Sequence, residues 1–286
     1  MSAARLGMHF SLWAPRWEPA SAEAALAEAA RYGIGLVEIP LLAPETIDIP
    51  RARALLAAHG VSPSASLCLP ERAMAQRDPQ AALAFLLPAI EAAAALGCSF
   101  LGGVTYSALG YRSGLPPTEA EYDNIARALR PAARRAAALG LTLGLEPCNR
   151  YETHLLNTAA QARALIARIG EPNLTIHLDT YHMNIEEKGI AAALRAAPGA
   201  STYVHLSESD RGVPGTGNVD WRGLFRALAE SGFAGDLVIE SFVTLPPEIA
   251  AVLAVWRPVA PDRFAVLDQG VGFLRALAAE TGLALA

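Results

Sequence analysis

Short apolar runs and alanine-rich segments of helical period take turns along this 286-residue chain, and that alternation admits few folds. The runs that read as strands cover 6–13, 34–41, 61–69, 99–106, 141–149, 174–182, 201–210 and 236–243. Between them, 20–32, 51–59, 79–96, 118–139, 158–169, 185–197 and 221–231 read as helices, and 261–281 follows the last strand. Gly33, Gly60, Gly97, Gly140, Gly170 and Gly232 each stand where a helix stops and a strand is about to begin. The pattern predicts one α/β domain over 1–286, a single (β/α)8 TIM barrel whose long polar loops, such as 107–118 and 243–263, carry the function. A doubly wound open sheet is the alternative. No GxGxxG follows the first strand, however, and Gly215, Thr216 and Gly217 come too late to supply that fingerprint.

Composition narrows the function classes. At 52% hydrophobic and 18% charged, the chain can fill a large core. A net charge of -5 offers no basic footprint for nucleic acid. Three cysteines, Cys68, Cys98 and Cys148, are odd in number and lack metal-ligand spacing, which predicts reduced thiols and a cytoplasmic protein. The N-terminus shows no signal-peptide pattern, and the apolar stretch 81–97 is interrupted by Pro88 and Glu91, so no membrane span is expected.

Four polar residues stand at the ends of consecutive strands: Glu146, Asp179, His205 and Glu240. Their spacing is about one strand-helix unit each, so a barrel delivers all four to one rim. Three carboxylates and one imidazole suit a divalent ion of the manganese or magnesium type, with cobalt tolerated, better than zinc. Each residue alone has a plainer reading. Glu240 can pair with an arginine, His205 can be a satisfied core histidine, and Asp179 can cap the next helix; their coincidence favours the metal. Beyond the strand ends, His182 and Arg211 are placed to reach over that ion and hold substrate oxygens, although Arg211 also fits a solvated loop charge. Glu152 can orient His182 or a substrate hydroxyl, or cap the helix starting near Thr158. His9, Trp13 and Trp17 follow the first strand, where aromatic faces pack on sugars or simply join the core. Phe242, two residues after Glu240, is a further substrate-contact candidate, while His59, His154 and His177 read as structural.

The segments GLEPCNRYETHLLNT, IHLDTYHMNIEE, HLSESDRGVPGTGNVDW and LVIESF resemble those of the ketose 3-epimerases, the D-tagatose and D-allulose (psicose) 3-epimerase family within the xylose-isomerase-like barrels. The likeness runs from GMHFSLW to Trp256 and Arg257. It implies a metal on Glu146, Asp179, His205 and Glu240, with the two glutamates as the catalytic pair; manganese is the first expectation for that ion. It further implies that His182, Arg211 and Glu152 grip the substrate, and that the protein is a homodimer or homotetramer. His9 departs from the aromatic residue that D-tagatose epimerases often carry on strand one, which leaves the choice among D-tagatose/D-sorbose, D-fructose/D-allulose and ribulose/xylulose open.

The chemistry asks for this set. Inverting C3 of a ketose means removing a proton beside the C2 carbonyl and returning one from the opposite face, a task for two bases flanking an enediolate. Rival expectations are a hydroxypyruvate isomerase or other aldose-ketose isomerase, a metal-dependent apurinic endonuclease, and a sugar-binding protein without turnover. NRYET disfavours the first, the net charge and the few strand-end histidines the second, and the paired glutamates the third.

Overall fold

A computed structural model describes residues 3–196, 199, 201–243 and 245–286. Eight parallel strands close into a barrel in chain order: β1 Arg5–His9, β2 Leu36–Pro40, β3 Ser62–Cys68, β4 Phe100–Val104, β5 Thr142–Leu145, β6 Leu174–Asp179, β7 Ser201–Leu206 and β8 Asp236–Ile239. Closure pairs Arg5 with Asp236, whose side chains also form an ion pair at 2.7 Å. Outside run α1 Pro19–Arg31, α2 Ile49–His59, α3 Pro79–Leu96, α4 Glu119–Ala138, α5 Ala159–Ile169, α6 Thr180–Glu186, α7 Ile190–Ala196, α8 Trp221–Glu230, α9 Pro247–Val252 and α10 Val271–Thr281.

Local chemistry sets the helix ends. Asp78 caps α3 by accepting from Gln80 and Ala81 N–H, and reciprocal capping boxes open α4 (Thr118 with Glu121) and α5 (Thr158 with Gln161). Gly60 and Gly97 end α2 and α3 in the left-handed conformation, as a helix stop before a strand requires. Helix α3 has the length and hydropathy of a membrane span, 18 residues at mean hydropathy 1.5. It is nevertheless one of the barrel's outer helices, with Ala82, Leu86, Ala89, Ile90, Ala93 and Leu96 buried.

The expected strands are longer than the observed ones, because several end where polar rim residues begin. The strand expected over 174–182 stops at Asp179, and α6 starts at once, so His182 lies in its first turn. The helix expected over 185–197 is two helices separated around Gly189, and its residue 197 lies outside the described residues. The last expected helix opens as a π-helical turn over Ala265–Gly270, and α9 was not anticipated in the loop before it.

Within the barrel, Phe100 stacks on Tyr203 with ring centroids 3.8 Å apart, and His177 meets both edge-on. With Leu36 and Val238 these rings fill the interior beneath the C-terminal rim. Between β6 and β7 the register pairs Asp179 with His205, and Leu206 stands opposite Ile239, one residue before Glu240. The packed interior thus forms the floor, and the next layer up is polar.

Candidate active site

The rim layer closes on His205. Its Nδ1 lies 3.6 Å from Glu240 Oε1, 3.7 Å from Asp179 Oδ2 and 3.8 Å from Glu146 Oε1, and it has no hydrogen-bond partner among the described residues. All four side chains are buried. Donors about 2.1 Å from one ion, at right angles, stand roughly 3 Å apart, so each carboxylate would need to close on the imidazole by about 0.6 to 0.8 Å to share a divalent metal with it. The four residues therefore fit the ion that the strand-end spacing suggests.

Charge points the same way. Glu146, Asp179, Glu240, Glu152 and Glu38 are all buried within or beside the rim, and Arg211 is a permanent cation that faces Asp179, Glu240 and Glu152. Burial, with Asp179 and Glu240 adding repulsion, pushes the Glu146 carboxyl well above the usual range against the pull of His205 and Arg211. Burial likewise raises Glu240. At Asp179 burial also opposes the charge, but Arg211, His182 and His205 outweigh it and hold the carboxyl well below its ordinary value. His205 is driven up by Glu38 and Glu240 in spite of its burial. The cluster wants positive charge at Nδ1, which a proton or a metal ion can bring.

Asp179 divides its work between its oxygens. Oδ1 caps α6, accepting from Tyr181 N–H at 2.6 Å and His182 N–H at 3.4 Å, while Oδ2 faces His205 and accepts from Arg211 Nη1 at 2.9 Å. The cap and the proposed ligand are thus one residue. Arg211 also donates to Glu240 Oε2 and, at 3.2 Å, to Ser207 Oγ. Its guanidinium packs over Tyr181 at 4.0 Å and Phe242 at 5.0 Å, and its backbone is left-handed at φ 65, held by bonds to Glu208, Ser241 and Phe242.

His182 completes the polar wall. Its Nδ1 accepts from Asn149 N–H at 3.1 Å, so the proton of the neutral ring sits on Nε2, which stands 3.2 Å from Arg211 Nη2. Two donors converge there, and a third group, an oxygen, is what they suit. Glu152 Oε1 accepts from Asn149 Nδ2 at 2.8 Å, leaving Oε2 buried with no hydrogen-bond partner among the described residues and 4.0 Å from His182 Nε2. Glu152 therefore belongs to this wall. The helix cap it was weighed against falls instead to Thr158.

A cavity of about 550 Å³ opens above these groups. His9, Ser66, Glu146, His182, His205, Arg211 and Glu240 form its polar depth, and Leu69, Leu109, Phe242, Leu245, Ile249 and Leu253 its apolar mouth. Burial lowers His9 to about 4 despite Glu38, so the ring is neutral; its Nδ1 is engaged by Ser11, and its Nε2 lies 3.5 Å from Ser66 Oγ and 3.6 Å from Glu38 Oε1. Trp17 requires a correction as a substrate contact. It is buried against Phe10, ring centroids 5.0 Å apart, and borders a separate hollow with Thr46 and Leu55 rather than the cavity. Trp13 is likewise engaged elsewhere, donating to Glu28.

Two buried carboxylates went unread in the sequence. Glu38, inside β2, accepts from His205 Nε2 at 2.7 Å and from Tyr203 Oη at 2.5 Å. Glu208 gathers the loop after β7, accepting from Ser209, Gly215 and Val219 N–H and from Trp221 Nε1. A charge inside the apolar run LVEIP needs a partner, a signal for Glu38 that does not say which residue supplies it.

With this geometry in view, residues 26–277 match the model of the xylose isomerase-like TIM barrel family. A ketose 3-epimerase of Arthrobacter globiformis is 37% identical over 95% of this chain and 96% of its own length. An L-ribulose 3-epimerase of Methylomonas sp. (strain DH-1) is also 37% identical, over 94% of this chain and 96% of its own. The crystal structure of a Methylomonas sp. D-allulose 3-epimerase in complex with D-allulose superimposes with a TM-score of 0.91 at 36% identity, covering 96% of this chain and 98% of that one. The chain belongs to the xylose isomerase-like TIM barrels and, within them, to the ketose 3-epimerase family of carbohydrate epimerases.

Proposed function

We propose that this chain is a metal-dependent ketose 3-epimerase that inverts C3 of free ketoses such as D-fructose and D-allulose, or D-tagatose and D-sorbose. One observation carries the reading: the unpartnered His205 Nδ1 facing Glu146, Asp179 and Glu240 at nearly equal distances. Glu146, Asp179, His205 and Glu240 would hold the ion, manganese by preference and magnesium or cobalt as substitutes. The ion supplies Lewis acidity toward the charge that develops on the substrate's oxygens.

The remaining steps fall to the chain's own groups. One of Glu146 and Glu240 takes the C3 proton and the other returns one from the opposite face, through a planar cis-enediolate. Arg211 and the Nε2–H of His182 donate to the oxygen on which negative charge grows. Glu152 and His9 orient hydroxyls, and Phe242 with the leucines of the mouth keeps bulk water off the enediolate. The same reading includes a cytoplasmic homodimer or homotetramer; three free cysteines agree with a reducing compartment.

Chelator-treated protein, incubated with D-fructose with and without added Mn²⁺ and followed by chromatography, tests this. D-allulose formed only with metal is the expected result. Turnover of hydroxypyruvate with no reaction of any ketohexose would overturn it.

A further inference from the structure

The side of His205 that faces away from the carboxylates is as constrained as the side that faces them. Its Nε2 lies 2.7 Å from Glu38 Oε2, and Glu38 is fully buried in β2. The same carboxylate oxygen takes the Tyr203 hydroxyl at 2.5 Å, and Ser64 Oγ stands 2.7 Å from that hydroxyl. Once Tyr203 donates to Glu38, its oxygen is free to accept, so the proton order runs Ser64 to Tyr203 to Glu38. Glu38 can then only accept from His205, and the ring must carry a hydrogen on Nε2.

We propose that Glu38 is a positioning residue for the metal centre: by fixing the Nε2–H form of His205 it turns the Nδ1 lone pair toward Glu146, Asp179 and Glu240. Without Glu38, the alternative tautomer puts Nδ1–H among three carboxylates, where a hydrogen bond to Asp179 or Glu240 replaces the ion. A carboxylate behind a ligating imidazole also makes the ring a stronger donor to metal. The Phe100–Tyr203 stack, with His177 packed edge-on, keeps Tyr203 and so the carboxylate in place. This inference rests on the metal-dependent reading above, extended to a residue that touches neither ion nor substrate.

The test is Mn²⁺ affinity, read from the free-ion electron paramagnetic resonance signal on titrating the full-length protein, with folding checked by circular dichroism. Glu38→Gln is expected to weaken binding about 10- to 100-fold, with kcat at saturating Mn²⁺ within about threefold of wild type. An affinity within twofold of wild type would overturn the proposal. A second readout needs no variant. In Mg²⁺-loaded wild-type protein, nitrogen-15 spectra should show His205 protonated at Nε2 and bare at Nδ1, and the reverse assignment would also overturn it. The two readings fail separately: if His205→Ala binds Mn²⁺ as well as wild type, the metal assignment itself falls, whereas loss on His205→Ala with none on Glu38→Gln removes Glu38 alone.

Discussion

The backbone N–H of Asn149 donates to His182 Nδ1 over 3.1 Å, and this bond directs the opposite N–H of the ring to within 3.2 Å of Arg211 Nη2. In the proposed mechanism the two donors serve the same developing charge. Removing one oxyanion donor costs about 10²- to 10³-fold in rate, so His182→Ala is expected to lower kcat/KM for D-fructose by that factor. Asn149→Ala keeps the backbone bond and loses the side-chain contacts to His182 and Glu152 together with the bond its Oδ1 accepts from Tyr151 N–H, for a loss of about tenfold. Initial rates by chromatography, at matched metal content, check both.

Glu146 and Glu240 lie on strands three apart and approach His205 Nδ1 to 3.8 Å and 3.6 Å. Replacing either by glutamine leaves an oxygen near the metal position but no base. Glu146→Gln and Glu240→Gln should each lower kcat by about 10³- to 10⁴-fold. More than a tenth of wild-type activity in either variant, with bound Mn²⁺ confirmed, would refute the two-base scheme.

The clustering of the strand-end residues was legible because barrel geometry converts spacing into position: Asp179 and His205, 26 residues apart, are register partners in adjacent strands. His182 and Arg211 were legible as residues just past those ends. Glu38 was not, because it lies within the strand run and its partners, His205 and Tyr203, come from β7, more than 160 residues away. Trp17 misled for the opposite reason: an aromatic at a strand end fits a sugar face and a core equally well, and its packing against Phe10 settles which. The break at Gly189 and the short α9 likewise depend on what the loops pack against, which periodicity does not encode.

Gly103 is a point where fold and site meet. Its φ is +93, and a Cβ there would stand 2.3 Å from Leu67 O. Its N–H donates to His177 Nδ1 at 3.0 Å, and its carbonyl accepts from Glu146 N–H at 3.1 Å, so the residue also seats Glu146, the proposed base. Gly103→Ala should destabilise by more than about 3 kcal/mol and abolish activity, seen as a lowered urea midpoint and lost turnover in the protein that still folds.

Glu208 carries the acid sensitivity of the loop after β7. Burial works against its charge, but the N–H groups of Ser209, Gly215 and Val219 and the Trp221 indole hold its carboxyl below the usual value. A folded pKa below the unfolded one gives stability that is fully present above the unfolded pKa, about 4.3. It is lost as pH falls through the folded value. Glu208→Ala strands those donors and should cost about 3 kcal/mol near neutral pH, and Glu208→Gln should flatten the acid limb. Thermal unfolding between pH 3 and pH 7 measures both.

The central claim is that Glu146 and Glu240 exchange the proton at C3 of a ketose. It is tested most directly by incubating Mn²⁺-loaded protein with D-fructose in deuterated water and locating the label by NMR. The account predicts D-allulose carrying deuterium at C3 and none at C1. D-allulose formed without solvent deuterium at C3, or label entering at C1 instead, would contradict it.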